Sequence, residues 1–241
     1  NRDSMYLRHG GDLKGISNHL DYFKSLGVTA LWLLPVLEND RPNRTEHGYA
    51  ITNHYKVDPR FGGNEAYKEL SDALHRNGMK LVMDAVYNHT GLEHFLELDP
   101  PAKDWMHRWP TFTQTTYKEQ TLFDPYAAPS DTKKMSDGWF DDGMPDINHA
   151  NPFMANYIIQ NMIWYIQEFG VDGIRIDTYT YSDLEFANRC NKAIMDEYPA
   201  MTLFGETRVF GTVNQAYFNQ NVLDIPYKSN LQGSVDFQCL Y

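Results

Sequence analysis

The feature that most constrains the fold is an unbroken apolar run that recurs between amphipathic stretches. Val28 to Leu34 is one such run, closed by Pro35, and Lys80 to Val86 is another. Ile174 and Ile176, entered through Gly173, and Thr202 to Gly205 read the same way. A strand with one wet face alternates polar and apolar residues. A run without alternation belongs to a strand buried on both faces, which means a parallel sheet under helices. Helical spacing fills the intervals. Ile16, Leu20 and Phe23 recur before a C-cap at Gly27. Ala66, Leu70, Ala73 and Leu74 follow an N-cap at Asn64 and stop at Gly78. Ala155, Ile158, Met162, Ile166 and Phe169 form a long amphipathic face. Phe186, Cys190 and Ile194 follow a Ser182–Glu185 capping box and end before Pro199. Strand–helix alternation predicts a parallel α/β fold.

Residues 1–14 and 38–63 carry no period and read as loops, and apolar stretches at Val222 to Ile225 and Gly233 to Phe237 close the chain. Residues 90–150 break the rhythm with Trp105, Trp109, Trp139 and many Tyr, Pro and Asp. So long an irregular stretch is foreign to a compact domain. It reads as an inserted subdomain, with its aromatic residues forming a small core of their own. The expected organisation is a first segment over 1–89, the insertion over 90–150 and a second segment over 151–241. About five strands are expected. Roughly 180 residues remain outside the insertion, too few for eight βα units at ~30 residues each. The sheet is therefore open, or part of a barrel.

A formal charge of −11 argues against a nucleic-acid partner, since phosphate binding needs a basic face. No apolar run is long enough to span a bilayer, so a soluble protein with no membrane partner is expected. No signal peptide is visible at Asn1, but the sequence does not begin with Met, so a leader could have been removed. Cys190 falls on a helix face as a small core residue, and with only one other cysteine, Cys239, the redox compartment stays open between cytoplasm and periplasm or exterior.

Three of the runs finish with an acid: Asp84, Asp177 and Glu206. In parallel α/β folds the C-terminal strand ends are where ligands bind and chemistry occurs. Arg175 lies two residues before Asp177, on the same face of its strand, where it keeps that carboxylate ionised. A structural ion pair, or acids that cap the next helix, are the alternatives. Three acids in a row favour paired carboxylates held at unequal pKa, the apparatus of glycoside hydrolysis.

These residues also carry a resemblance. Asp84-Ala85-Val86-Tyr87-Asn88-His89, Gly173-Ile174-Arg175-Ile176-Asp177 and Gly205-Glu206-Thr207 resemble the first three signatures of the α-amylase family, glycoside hydrolase family 13. Met144-Pro145-Asp146-Ile147-Asn148 is similar to the extra motif near the end of its inserted domain. Gly27 to Val36 resembles its second barrel strand, and His47-Gly48-Tyr49 with Tyr55 to Gly62 completes the order. The nearest variety is the cyclomaltodextrinase and neopullulanase group. The resemblance implies a partial (β/α)8 TIM barrel, about strands 2 to 6, with the insertion after the third barrel strand.

It also implies a retaining hydrolase of α-glucan oligosaccharides or cyclodextrins. Asp177 would be the nucleophile and Glu206 the acid/base. Arg175 would orient Asp177, His89 would hydrogen-bond the sugar before the cut, and Tyr49 would stack on it. Asp84 would support the floor. Asn88 occupies a position that binds calcium in many members; a structural hydrogen bond is expected instead, and no cofactor is required, with calcium left open. The Lys-His pair usual after the nucleophile is replaced by Tyr179-Thr180-Tyr181, and no His-Asp pair follows Glu206. The chain alone is therefore expected to act feebly or not at all, and exposed strand edges to favour pairing with a second copy. Whether water or a sugar attacks the intermediate is open. The alternatives are a non-catalytic carbohydrate-binding or partner-docking relative, and a metal hydrolase using Asp84, His89, His47 and His54. Trp139 and Phe140 are the insertion residues expected to reach the sugar, and Asp141 and Asp142 are expected to form a solvated turn, a calcium site being the other reading.

Overall fold

The computed structural model describes residues 3–5, 7–40 and 45–240. Two short helices, α1 (Leu13–Ser17) and α2 (Leu20–Ser25), precede strand β1 (Ala30–Trp32). A two-stranded antiparallel ribbon, β2 (Leu37–Glu38) with β3 (Asn53–Val57), leads into α3 (Gly63–Arg76) and β4 (Lys80–Ala85). Short helices α4 (Phe95–Leu98) and α5 (Pro129–Asp137) fall within 90–150. Then come α6 (Pro152–Phe169), β5 (Gly173–Ile176), α7 (Leu184–Glu197), β6 (Thr202–Gly205), α8 (Thr212–Tyr217) and β7 (Gly233–Ser234). The main sheet runs β1-β4-β5-β6-β7 with every pairing parallel, as the strand–helix alternation predicts.

The centre of that sheet is dry. Leu81, Ala85, Ile174, Ile176 and Leu203 are buried, and α3, α6 and α7 cover them with Leu70, Leu74, Ile158, Met162, Tyr165, Phe186 and Ile194. Each such aliphatic side chain contributes about 1.5–3 kcal/mol by leaving water. Register fixes the functional end. Asp84 lies beside Arg175 and Ile176 beside Gly205. The ladder continues past the strands: Asp177 N donates to Ala85 O at 2.9 Å and Glu206 N to Ile176 O at 2.8 Å.

Several local expectations give way to tertiary partners. Val28 to Leu34 is not a doubly buried strand. Only Ala30–Trp32 pairs, at the sheet's edge, and Trp32 and Leu34 are exposed. The first helix is broken at Asn18 and His19, and it begins at Leu13, inside the expected loop, because the Asp12 carboxylate accepts from Gly15 N at 2.6 Å. Asn64 does not cap α3; its side-chain oxygen accepts from Val57 N at 2.7 Å and ties the helix to the ribbon. The cap of α7 is Asp183, since Ser182 Oγ donates instead to Asn88 Oδ1 at 3.2 Å. Residues 38–63, of which 41–44 lie outside the described residues, contain β3 rather than loop alone. Val222 to Ile225 forms no strand, and only Gly233–Ser234 of the last apolar stretch pairs.

Residues 90–150 are held by single bridges, His89 with Asp146, Met106 with Ile147 and Gln114 with Trp139. Their indoles bind backbone within the segment: Trp109 Nε1 donates to Asp137 O and Trp139 Nε1 to His107 O, both at 2.9 Å. Met106 and Ile147 join the main core, so the segment has no wholly separate one.

Candidate active site

Strands β4, β5 and β6 deliver Asp84, Asp177 and Glu206 to one end of the sheet, and Arg175 gathers them. Its Nη1 donates to Asp84 Oδ1 at 2.8 Å and to Asp177 Oδ1 at 2.7 Å. Its Nη2 lies 2.8 Å from Glu206 Oε2. Trp32 and Tyr49 flank the guanidinium, their ring centres 5.4 and 6.0 Å from Cζ. Both also hold Asp84, whose Oδ2 accepts from Trp32 Nε1 at 3.1 Å and Tyr49 Oη at 3.2 Å. Asp84 is thus fully engaged inside the protein.

The guanidinium is shared three ways, so it does not serve Asp177 alone as the sequence suggests. Burial pushes the Asp177 carboxyl well above the usual carboxylate range; Arg175 pulls it back, while Glu206 and Asp84 push it further up. Burial likewise raises Asp84, against the opposing pull of Arg175, Trp32 and Tyr49. Burial alone would lower Arg175, but Asp177, Asp84 and Glu206 overcome it and hold the cation charged.

Two backbone details set Glu206. Thr178 sits at φ 45°, a left-handed conformation that costs a residue with a side chain about 1–3 kcal/mol. That turn aims Thr178 N at Glu206 Oε2, 3.1 Å away. Gly205 lets Tyr179 approach: a Cβ there would meet Tyr179 Cγ at 2.8 Å and Leu231 Cδ2 at 2.9 Å.

A cavity of about 410 Å³ opens over this floor, lined by His47, Tyr49, His89, Phe140, Asp177 and Glu206 among others. His89 stacks on Phe140 with centroids 5.4 Å apart and planes at 20°. Its Nδ1 accepts from Asn88 Nδ2 at 3.4 Å, and burial pushes its pKa down to about 3, so the ring is neutral. Asn88 is held by Ser182 and by Ile147 N, which donates to its carbonyl at 2.9 Å. Gly48 makes the turn before Tyr49, at φ 89°, where a Cβ would lie 2.6 Å from Pro35 O. Of the two aromatic residues, Phe140 borders the cavity, while Trp139 Nε1 is spent on the His107 carbonyl. Asp141 Oδ1 accepts from Gly143 N at 2.7 Å, closing the turn, and Asp141 also borders the cavity. A larger hollow of about 650 Å³, at the opposite strand ends by Lys80 and Thr202, contains none of the three acids.

Sequence reasoning missed a second cavity, of about 340 Å³, lined by Tyr117, Glu119, Tyr181, Arg208 and Phe210. It shares Phe140, Thr178 and Glu206 with the first. No local pattern marks Glu119; only the unusual Tyr179-Thr180-Tyr181 hinted at a remodelled surface there.

The metal-hydrolase set does not assemble. His54 is buried against His94, Nε2 of His94 lying 2.9 Å from Nδ1 of His54, and His47 accepts from Tyr49 N at 2.9 Å. Among the described residues no three His, Cys, Asp or Glu side chains are placed to share a cation. No described helix is long and apolar enough to cross a membrane.

Residues 1–232 match the family model described as alpha amylase, catalytic domain. The intracellular maltogenic amylase of Bacillus subtilis is 30% identical over 197 residues, 82% of this chain and 31% of that protein. A cyclomaltodextrinase of Geobacillus thermopakistaniensis is 30% identical over 204 residues, 82% of this chain and 32% of that protein. The structure of an alpha-amylase from Geobacillus thermoleovorans complexed with acarbose superposes with a TM-score of 0.75 at 32% identity, over 95% of this chain and 46% of that one. The chain spans about a third of the length of these curated relatives.

Proposed function

The chain belongs to the alpha-amylase family, and from that membership we propose that it carries the central chemistry of a retaining α-glucan glycoside hydrolase. Its substrates are starch-derived oligosaccharides or cyclodextrins. The sheet corresponds to about strands 2 to 6 of a (β/α)8 barrel, and residues 90–150 to a subdomain inserted after the third. The observation that carries the reading is Arg175 bridging Asp177 and Glu206 at the C-terminal strand ends.

Asp177 Oδ1 is bound by Arg175, which leaves Oδ2 as the attacking atom. Glu206 Oε2 is taken by Arg175 and Thr178 N, so its transferable proton belongs on Oε1. In the first step Asp177 Oδ2 bonds to the anomeric carbon, the glycosidic C–O bond breaks, and the Glu206 proton passes to the leaving oxygen. In the second, water or a sugar hydroxyl gives its proton to Glu206 and attacks the same carbon, releasing Asp177. His89 supplies a neutral hydrogen-bonding ring and Tyr49 an aromatic wall; Asp84 and Asn88 hold these groups in place.

Trapping tests the first step without needing turnover. Incubation with 5-fluoro-α-D-glucosyl fluoride should add one fluoroglucosyl unit to the peptide containing Asp177, and D177N should abolish the adduct. Labelling at another acid, or an intact protein that neither labels nor binds an iminosugar, would refute the assignment.

A further inference from the structure

Glu206 is the loosest of the three acids. Its side chain is 26% exposed, against 7% for Asp177 and 0% for Asp84. One of its donors, Thr178 N, belongs to a residue in the left-handed region. A strained residue of that kind persists only where its surroundings over-determine it. The next side chain is Tyr179, and it is anchored at both ends.

At the near end Tyr179 abuts the strand that carries the acid. Gly205 immediately precedes Glu206, and a Cβ at Gly205 would meet Tyr179 Cγ at 2.8 Å and Tyr179 Cβ at 2.9 Å. At the far end its phenol is held. Asn191 Nδ2, on α7, donates to Tyr179 Oη at 3.3 Å and to Asn230 Oδ1 at 3.0 Å. Asn230 N donates in turn to Asn188 Oδ1 at 3.0 Å and Asn230 Nδ2 to Asn188 O at 2.8 Å, which ties that segment to the same helix. Burial raises the pKa of the phenol, and hydrogen bonds with Ser229, Asn191 and Tyr227 oppose the rise. Tyr179 is fully buried and lines neither cavity beside Glu206, so it is out of a ligand's reach. A buried ring needs no hydroxyl to exclude water. A phenol with several partners also fixes which way the ring points.

Resting on the assignment of Glu206 as acid/base, we propose that Tyr179 is the positioning residue for that carboxyl group. Its ring, anchored to α7 and to the segment around Asn230, fixes both ends of the hydrogen bond from Thr178 N to Glu206 Oε2. Asp177 does not depend on it: Asp177 N donates to Ala85 O at 2.9 Å, and its Oδ1 is bound by Arg175. Loss of the ring therefore lets the Thr178 turn relax and Glu206 swing, with Asp177 left in place. A misplacement of about 1 Å can cost about 10²-fold in rate.

The two half-reactions separate the two acids. 5-Fluoro-α-D-glucosyl fluoride loses fluoride without needing a proton, so labelling reports Asp177. Decay of the adduct needs Glu206: water gives its proton to Glu206 and bonds to the anomeric carbon as the bond to Asp177 breaks. Azide bonds to the same carbon with no proton to give up, so it reports the adduct without the base. Intact-mass measurement on the 241-residue chain follows all three rates. Y179L should label within about threefold of the wild-type rate, while its adduct decays in water at least about thirtyfold more slowly. Azide should speed that decay by about tenfold or more in Y179L and by less than about threefold in wild type. Y179F keeps the ring, and its adduct should decay within about fivefold of the wild-type rate. G205A, whose methyl enters the space of the ring, should show the same split as Y179L, and it decides the matter if Y179L does not fold. The Thr178 amide, followed by NMR hydrogen exchange, should exchange at least about tenfold faster in Y179L. Unchanged adduct decay in folded Y179L or G205A, labelling and decay slowed alike, or Y179F as slow as Y179L would overturn the proposal. A wild type that does not label at Asp177 refutes the assignment of the floor instead. Faster Thr178 exchange in Y179L would then still support the clamp, and equal exchange would overturn it.

Discussion

The strand ends beneath the cleft and the 90–150 segment above it hold their charges in different ways. Below, three carboxylates share one buried guanidinium. Above, each acid has a cation close by: His107 Nδ1 lies 2.7 Å from Asp146 Oδ2 and its Nε2 3.9 Å from Asp137, Arg108 meets Glu97 through two bonds of 2.6 and 2.7 Å, and Lys133 meets Asp137. The floor hangs on a continuous ladder of main-chain bonds, the roof on isolated bridges. A rigid sheet can hold an under-compensated cluster that would otherwise relax, and such clusters mark where stability is given up for chemistry. A loosely bridged segment cannot, so its charges are neutralised locally and it contributes shape. Substitutions in the floor should change rates, and those in the roof affinity and stability.

The largest effect should come from D177N. Labelling by the fluoroglucosyl donor should be lost, a fall of at least about 10⁴-fold or 5.5 kcal/mol of barrier. Stability should move the other way. The folded-state pKa of Asp177 is raised, so its contribution is fully present below the unfolded carboxylate value and is lost as pH rises through the folded one. At pH 8 the wild type bears that cost and D177N does not, so the variant should unfold at a higher temperature, by about 1–2 kcal/mol of stability. A D177N protein that is less stable at every pH would show that the floor is balanced after all.

R175A should follow. It removes the counter-charge from all three acids and should destabilise by about 3–5 kcal/mol at neutral pH, read by denaturant unfolding. Acid should recover part of this as the carboxyls protonate. A loss under about 1 kcal/mol would mean the ion pairs break even with their desolvation.

For the roof, H107Q should cost about 2 kcal/mol at pH 6 and much less at pH 9. Burial raises Asp146 to about 7 despite the His107 bond. Burial would lower His107, but the bond and charge of Asp146, helped by Asp137, raise it. The pair therefore keeps one proton that the unfolded chain gives up near pH 6.5. Both shifts have one sign: the stabilisation is present at low pH and fades as pH rises through about 7. Wild-type stability should fall across that window and H107Q should flatten the fall, measured by urea unfolding from pH 6 to 9. Parallel curves for the two proteins would remove the proton from the clamp.

The same contrast separates what was legible in the sequence. Helices α6 and α7 could be read because their apolar periods meet a sheet face directly. The floor acids could be read because strand ends are local features: Asp177 and Glu206 each terminate an apolar run, and Asp84 lies near the end of one. That Arg175 serves all three could not, since it depends on register between strands 91 residues apart. Ser182 and Asn64 carried sound cap signals and were outbid by Asn88 and Val57, distant in the chain. β1 looked doubly buried because composition does not say whether a strand has a neighbour. Glu119 gave no signal, as a buried acid in an irregular segment is defined only by what folds around it.

Phe140 sharpens the boundary between the two regions, with the smallest expected effect. It belongs to the roof, stacks on His89 and borders both cavities, yet it touches none of the bonds to Asp177. An aromatic pair of this kind is worth about 0.5–1.5 kcal/mol beyond its buried area. F140A should therefore weaken 1-deoxynojirimycin by about tenfold, near 1.4 kcal/mol, by freeing the His89 ring and removing a wall of the cleft. The maximal labelling rate at saturating fluoroglucosyl donor should change by less than about threefold, because Arg175 and the strand register still set Asp177. A drop in that rate matching the drop in affinity would mean that the roof positions the reacting atoms as well, and the division between chemistry below and recognition above would not hold.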